Sequence, residues 1–310
     1  MTTQSAYTER PAVDDLAGLR DLYELHLGAS RAPKTTRIYL AAFDGLYGHL
    51  RDHGMPTTAR GIRREHVESW FAVRRAKVAP ATLSVEFRAL AVFWKWALEE
   101  DEIERSPMER MKAPRVPDKP VPIVSDSQIR KLLKTADASD FVSRRDRAIM
   151  LLFYDTGMRL GELVGLRVGD VDYKAAACTA YVTGKAGHQR VVRFGRDTAM
   201  ALARYVKMRN GHRYADMDAL WLGQDGPIGP SAVENMIAKR CVRAGLPRLH
   251  PHQWRHSFAH ESLANGMAEG DLQRLAGWRS PQMLRRYGAS LADARAQAAY
   301  TSPVDRMRGR

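Results

Sequence analysis

The stretch Ala177-Cys178-Thr179-Ala180-Tyr181-Val182-Thr183-Gly184-Lys185-Ala186-Gly187-His188-Gln189-Arg190-Val191-Val192-Arg193-Phe194 decides the fold class. Residues Ala177–Thr183 and Arg190–Phe194 alternate apolar and polar side chains, as strands half-buried on one face require. Between them Gly184-Lys185-Ala186-Gly187 supplies a turn, so the stretch predicts a hairpin of two short strands. The segments on either side repeat at the helical period instead. The chain around the hairpin is therefore mainly α with a small β-sheet.

Upstream, Ser125-Asp126 is a capping start for a helix over Asp126–Thr135, and Ser143–Asp155 forms another that ends at Thr156-Gly157. Gly161–Leu166 reads as a short helix and Asp170-Val171-Asp172 as a turn. Downstream, helices are expected over Asp197–Lys207, Ser231–Arg243, His252–Ala264, Asp271–Leu275 and Pro281–Tyr287, with a last one near Leu291–Tyr300. Before all of these, five prolines at 107, 114, 117, 120 and 122 alternate with Arg110, Lys112, Arg115 and Lys119. Proline excludes a helix there and keeps the segment extended. It is a basic, semi-rigid linker, serving either as a plain spacer or as a strip of cations along a phosphate backbone. The first hundred residues hold four helices: Asp14–Leu27, with Leu16, Leu19, Tyr23 and Leu27 on one stripe; Lys34–Leu50, with Ile38, Leu46 and Leu50; Arg64–Lys77, with Val67, Trp70, Phe71 and Val73; and Ala81–Glu99. The last has the broadest apolar face, from Leu83 and Phe87 to Trp96 and Ala97, with Arg88 and Lys95 looking outward. The expected organisation is a helical domain at 11–112, a linker at 113–124 and a second domain at 125–310. No repeat recurs at a fixed period.

The 310 residues carry 49 Lys+Arg against 35 Asp+Glu, a formal charge of +14, with Arg well ahead of Lys. That excess argues against an ordinary acidic metabolic enzyme and makes a polyanion the first partner to consider, since guanidinium groups fork onto phosphate oxygens. A basic proteome with an Arg-rich codon bias would by itself account for much of it. Cys178 and Cys241 are the two cysteines, which leaves no disulfide framework and no CxxC pair and suits a reducing cytoplasm. Neither a signal peptide nor an apolar run of membrane-spanning length is present.

Four segments combine cationic or hydrogen-bonding residues with a break in the chain. In Thr156-Gly157-Met158-Arg159-Leu160-Gly161-Glu162, an Arg follows a glycine turn and a Glu lies three residues on, giving either a fork held by a carboxylate or a surface ion pair. Lys185 sits at the hairpin tip, a solvated ammonium or one delivered to a ligand. His250-Pro251-His252-Gln253-Trp254-Arg255-His256-Ser257-Phe258-Ala259-His260 puts His252, Arg255 and His256 on one helix face. A zinc site is the weaker reading of these histidines, because His256-xxx-His260 lacks the adjacent Glu of a zinc protease. Last, Leu275-Ala276-Gly277-Trp278 precedes Arg285-Arg286-Tyr287-Gly288, where flanking positive charge favours a phenolate at Tyr287.

The order and spacing of these segments resemble those of the tyrosine recombinase (phage integrase) family across residues 125–290, as an Xer-like or Cre-like two-domain member. TGMRLGEL looks like the family's first box, which assigns Arg159 and Glu162. GKAGHQRVV resembles the hairpin that bears a catalytic Lys, here Lys185. HPHQWRHSFAH is similar to the H-x-x-R-H-[ST]-F-A box, giving His252 and Arg255. Nine residues after the usual Leu-Gly-His triplet comes the nucleophilic Tyr. Here the triplet position reads Ala276-Gly277-Trp278, and the ninth residue after Trp278 is Tyr287. Trp278 departs from the commoner His, so its indole N–H would position a phosphate without carrying a proton. Arg193 stands where many members have Pro. The first domain resembles the family's helical core-binding (SAM-like) domain at Thr35-xxx-Tyr39 and Arg88…Phe93…Trp96.

The resemblance implies a mixed α+β catalytic domain after the helical one, and a site-specific recombinase that uses neither cofactor nor metal nor ATP. Tyr287 would attack a DNA phosphodiester to give a 3′-phosphotyrosine and a free 5′-hydroxyl. Arg159 and Arg255 would hold the charge, and Lys185 would protonate the leaving oxygen. His252 would accept the tyrosine proton or bond the phosphate, and Glu162 would orient His252 or Arg159. The implied partners are double-stranded recombination sites, three further copies of the chain in a tetramer on paired sites, and an accessory directionality factor. The free protein would be a monomer in a nucleoid-associated, cytoplasmic location. Lys34, Arg37, Arg88 and Lys95 are the first-domain residues expected to face DNA. Residues 1–13 are too few for the arm-binding domain that many phage integrases carry. The tail at Leu291–Tyr300 would dock on a neighbour or on its own domain. The alternatives are a type IB topoisomerase-like enzyme, which relaxes one duplex, and a non-catalytic DNA-binding protein of the same fold.

Overall fold

The computed structural model describes residues 15–117, 122–184 and 187–278, together with 297, 300, 302 and 304. It is mainly helical with small antiparallel sheets, and its contacts divide it into two units, Met1–Lys119 and Pro120–Arg310. Among the described residues no helix is long and apolar enough to cross a membrane.

The first unit contains α1 (Leu16–Ser30), α2 (Pro33–Asp52), α3 (Arg64–Lys77) and α4 (Pro80–Glu99). Helix α1 starts where the Asp15 carboxylate accepts the Ala17 amide, and its stripe of Leu16, Leu19, Tyr23 and Leu27 is fully buried. Both α2 and α4 open on a proline, whose fixed φ suits the first helical position and whose missing N–H is not needed there. The core is aromatic. Phe93 meets Tyr23 and Phe43 edge-on at centroid distances of 5.1 and 4.7 Å, and Trp94 is buried beside it. Ile38 and Val73, expected on apolar stripes, are exposed; Leu46 and Leu50 are buried as expected, and Leu40 and Phe43 join them on the buried face of α2. Lys34 and Arg37 lie exposed on α2, as do Arg88 and Lys95 on α4, where Lys95 pairs with Glu99 at 3.2 Å.

The second unit contains α5 (Asp126–Lys134), α6 (Phe141–Thr156), α7 (Leu160–Val164), β1 (Val171–Asp172), β2 (Thr179–Thr183), β3 (Gln189–Arg193), α8 (Arg196–Arg209), β4 (Leu222–Gly223), β5 (Gly226–Pro227), α9 (Pro230–Arg243), α10 (Pro251–Ala264) and α11 (Glu269–Ala276). The hairpin forms as expected, with Thr183 opposite Gln189. Val171-Asp172, expected to turn, instead adds a third antiparallel strand opposite Ala180 and Thr179, and the bend falls two residues earlier in a 3-10 turn at Val168–Asp170. The reason is burial: Val171 packs into the core, which a turn at the surface would forgo.

Helix α6 is the axis of this unit and packs against α8 and α10. Trp254 of α10 stacks on Phe153 of α6 at 5.6 Å, and Asp146 of α6 is buried between Arg145 and Arg240. The end of the proline-rich segment is tied to α10 by two bonds. The buried Val124 N–H donates to Ser257 Oγ at 2.7 Å, and Gln253 Nε2 donates to the Pro122 carbonyl at 3.4 Å. The register of α10 is thus set from two sides.

Candidate active site

Helix α6 stops because Gly157 takes the left-handed conformation, φ +55°, with its N–H on the Phe153 carbonyl at 3.1 Å. A Cβ there would lie 2.3 Å from Phe258 Cδ1, so glycine is required by space as well as by backbone. The turn aims the Gly157 carbonyl at α10, where it accepts Arg255 Nη1 at 2.8 Å. Two residues on, Arg159 occupies the N-cap of α7 with an extended backbone. Glu162, in the first turn of α7, reaches back to the Arg159 N–H through Oε2 and to Arg159 Nη1 through Oε1, both at 2.8 Å.

Glu162 holds a second cation. Arg190 of β3 donates Nη1 to Oε1 at 2.9 Å and Nη2 to Oε2 at 2.8 Å, a fork-on-fork pair. The Glu162 side chain is 3% exposed, Arg190 is 13% and Arg159 is 47%. Burial works against the Glu162 carboxylate, but hydrogen bonds from Arg190, from the Arg159 amide and from the Arg159 guanidinium outweigh it and draw its pKa down to about 2. Gly184, at the base of the hairpin, stands against the same carboxylate: a Cβ on it would lie 3.2 Å from Glu162 Oε1.

The far wall is the last turn of α11, which ends at Gly277 with φ +64°. Carbonyls in a final helical turn lack intrahelical partners and carry the negative end of the helix dipole, so cations suit them. Three consecutive ones are each taken by an arginine from a different element. Leu275 O accepts Arg190 Nε at 2.8 Å, Ala276 O accepts Arg255 Nη2 at 2.5 Å, and Gly277 O accepts Arg159 Nη2 at 3.4 Å. Trp278 follows, buried, with the Arg255 guanidinium 5.1 Å from its ring centroid.

Arg159, Glu162, Arg255 and Trp278 are thereby brought together. His252 is exposed in the first turn of α10, one turn before the buried Arg255. Of the two orienting partners expected for Glu162, Arg159 is hydrogen-bonded to it and His252 is not. Lys185 and Tyr287 lie outside the described residues, as does all of Leu291–Tyr300 except 297 and 300. The sequence reading missed Arg190. Its signal was present, because Arg190 shares the inward strand phase with the buried Val192, and an arginine on that phase needs an anion. Among the described residues no three His, Cys, Asp or Glu side chains gather as a metal-ligand group.

This arrangement, forked cations on rigid backbone acceptors beside one compensated carboxylate, suits the binding of an anionic tetrahedral group. A profile of the phage integrase family matches residues 123–293. The tyrosine recombinase XerC of Salmonella typhi is 31% identical over 260 residues, covering 81% of this chain and 84% of its own. That of Syntrophus aciditrophicus (strain SB) is 26% identical over 313 residues, covering 96% and 99%. Among solved structures, the XerH site-specific recombinase in a post-cleavage complex with palindromic difH substrate superposes with a TM-score of 0.73 at 18% identity, over 85% of this chain and 78% of that one. A lambda integrase tetramer bound to a Holliday junction gives 0.68 at 16% identity, over 89% and 83%.

Proposed function

The chain belongs to the phage integrase family and is a tyrosine site-specific recombinase, and from that premise we propose that it cuts and rejoins double-stranded DNA through a 3′-phosphotyrosine bond to Tyr287. The observation that carries this reading is the anchoring of Arg159 and Arg255, distant in sequence, on the adjacent carbonyls of Gly277 and Ala276. Two guanidinium groups so held supply fixed positive charge where a pentavalent phosphorus develops negative charge on its non-bridging oxygens. Arg159 is the accessible fork. Arg255, 4% exposed, supplies its charge from the buried side of the site.

In the proposed step Tyr287 Oη bonds to phosphorus while the bond from phosphorus to the 5′-oxygen breaks. His252, exposed at the start of α10, takes the phenolic proton, and Lys185 gives one to the departing 5′-oxygen. A 5′-hydroxyl from a second duplex then attacks the same phosphorus and returns the oxygen of Tyr287 to its phenol. The phosphodiester energy stays in the covalent link, so no nucleotide is consumed, and the cations the chemistry needs are supplied by Arg159 and Arg255. Exchange between two duplexes requires four cuts, hence four protomers on paired sites, assembled from monomers and directed by an accessory factor. In the helical domain proposed for 11–112, Lys34 and Arg37 of α2 and Arg88 and Lys95 of α4 provide phosphate contacts, which makes binding steeply salt-dependent.

A nicked suicide duplex incubated with the protein in EDTA tests the chemistry. A covalent adduct that disappears in Tyr287→Phe, with DNA binding retained, is expected. Tight binding with no adduct from the unaltered chain would replace this reading with a non-catalytic DNA-binding protein. Relaxation of supercoiled plasmids of any sequence, without exchange between duplexes, would replace it with a topoisomerase.

A further inference from the structure

The mechanism leaves one largely covered cation of the site, Arg190, without a task. Arg190 spends Nη1 and Nη2 on Glu162 and Nε on the Leu275 carbonyl, and its side chain is 13% exposed. Resting on the recombinase reading above, we infer that Arg190 is a positioning residue that neutralises Glu162, so that Arg159 keeps its full charge for the scissile phosphate, and that ties β3 to the turn holding all three arginines.

The charged groups hydrogen-bonded to Glu162 are Arg159, from the turn before α7, and Arg190, from β3. Alone with Glu162, Arg159 would form a neutral pair, and an approaching phosphate would meet a dipole in place of a cation. With Arg190 added, the trio carries one net positive charge. Because Arg190 is nearly covered and Arg159 is 47% exposed, that surplus is presented to solvent at Arg159.

Leu275, which accepts Arg190 Nε, directly precedes the two residues whose carbonyls hold Arg255 and Arg159. The turn lies against the Arg190 side chain: a Cβ on Gly277 would sit 3.1 Å from Arg190 Cδ. A displacement of Arg190 therefore moves the carbonyls that aim both other guanidinium groups. The hairpin carrying Arg190 also packs on Glu162 through Gly184, so strand and carboxylate share one register.

The test uses the full chain and the nicked substrate. Arg190→Met keeps an apolar stem and removes the charge, while Arg190→Lys keeps the charge and removes the fork. Adduct formation is followed across pH, with DNA affinity and thermal melting measured in parallel. In Arg190→Met the adduct rate is expected to fall by about 10–100-fold, as for other outer-shell partners, with DNA affinity changed by no more than about threefold. In melting followed across pH, the loss of stability that accompanies protonation of Glu162 should set in at higher pH in Arg190→Met, because Glu162 loses an opposite charge. Adding Glu162→Gln to Arg190→Met removes the uncompensated carboxylate and should recover much of the lost rate. A strut that only supports the fold behaves differently: the loss follows the melting temperature, and Glu162→Gln deepens it. That outcome, or a wild-type rate in Arg190→Met, overturns the proposal. Should Arg190→Met not fold, a wild-type rate in Arg190→Lys, which lacks the fork that joins Glu162 to the Leu275 carbonyl, overturns it. Absence of adduct from the unaltered chain removes the recombinase reading itself, which is a separate result.

Discussion

Replacing Gly157 by alanine adds a single methyl group, yet it should be among the most damaging small changes in the second unit. The left-handed backbone at φ +55° costs a non-glycine residue about 1–2 kcal/mol. The new Cβ would lie 2.3, 2.5 and 2.8 Å from three atoms of Phe258, which also packs from α10, and relief of such overlap costs about 1–3 kcal/mol. Together these give about 2–5 kcal/mol, or a fall in Tm on the order of 10 °C for a unit of this size. Gly161 is the internal control. It lies in α7 with nothing within 4 Å of its Cβ position, so Gly161→Ala should stabilise by about 0.5–1 kcal/mol. The assay is urea unfolding of both variants, followed by far-ultraviolet circular dichroism. Repeating Gly157→Ala in a Phe258→Ala background removes the Cδ1 and Cγ overlaps but keeps the 2.8 Å one with Cβ, so the cost should fall toward the backbone part of about 1–2 kcal/mol without reaching it. A Gly157→Ala midpoint equal to that of the wild type, or a cost unchanged when Phe258 is removed, would refute the account of how α6 ends against α10. Since the Gly157 carbonyl also receives Arg255, adduct formation should fall along with stability.

Two other consequences are open to measurement. The Glu162 carboxyl is drawn from its ordinary 4.5 to about 2, so its contribution of about 3 kcal/mol is present above pH 4.5 and is lost as pH falls toward 2. The stability gap between the wild type and Glu162→Gln should therefore close through that window, and a constant gap would contradict it. Ser257→Ala removes the acceptor of the buried Val124 N–H and should cost about 1–3 kcal/mol in denaturant midpoint, whereas Ser257→Thr should recover part of this.

The helices could be read from the sequence because their causes are local. The period of Leu16, Leu19, Tyr23 and Leu27, the Ser125 cap of α5 and the glycine stop after Thr156 act within a few residues of chain. The third strand could not. Val171-Asp172 has the composition of a turn, and it becomes a strand only because Ala180 and Thr179 lie opposite it and a core is waiting for Val171. Ile38 and Val73 show the same limit from the other side, since an apolar residue on a helix is buried only where another element covers it.

The site divides in the same way. The resemblance to the tyrosine recombinase boxes marked Arg159, Glu162, Arg255 and Trp278 as one set, and the i to i+3 relation of Arg159 and Glu162 and the glycine before Arg159 are properties of the chain itself. Which acceptor each arginine takes, and that Glu162 serves two cations, came only with the tertiary structure. The Leu275, Ala276 and Gly277 carbonyls are identical backbone groups in any sequence, and they become ligands solely because α11 ends facing α10, α7 and β3. Arg190 reads as one more hairpin cation until the fold turns it inward onto Glu162. Local chemistry selected the residues. Their partners were decided by long-range packing, because the hydrogen bonds of a guanidinium are directional and short, and only the folded chain places an acceptor at their ends.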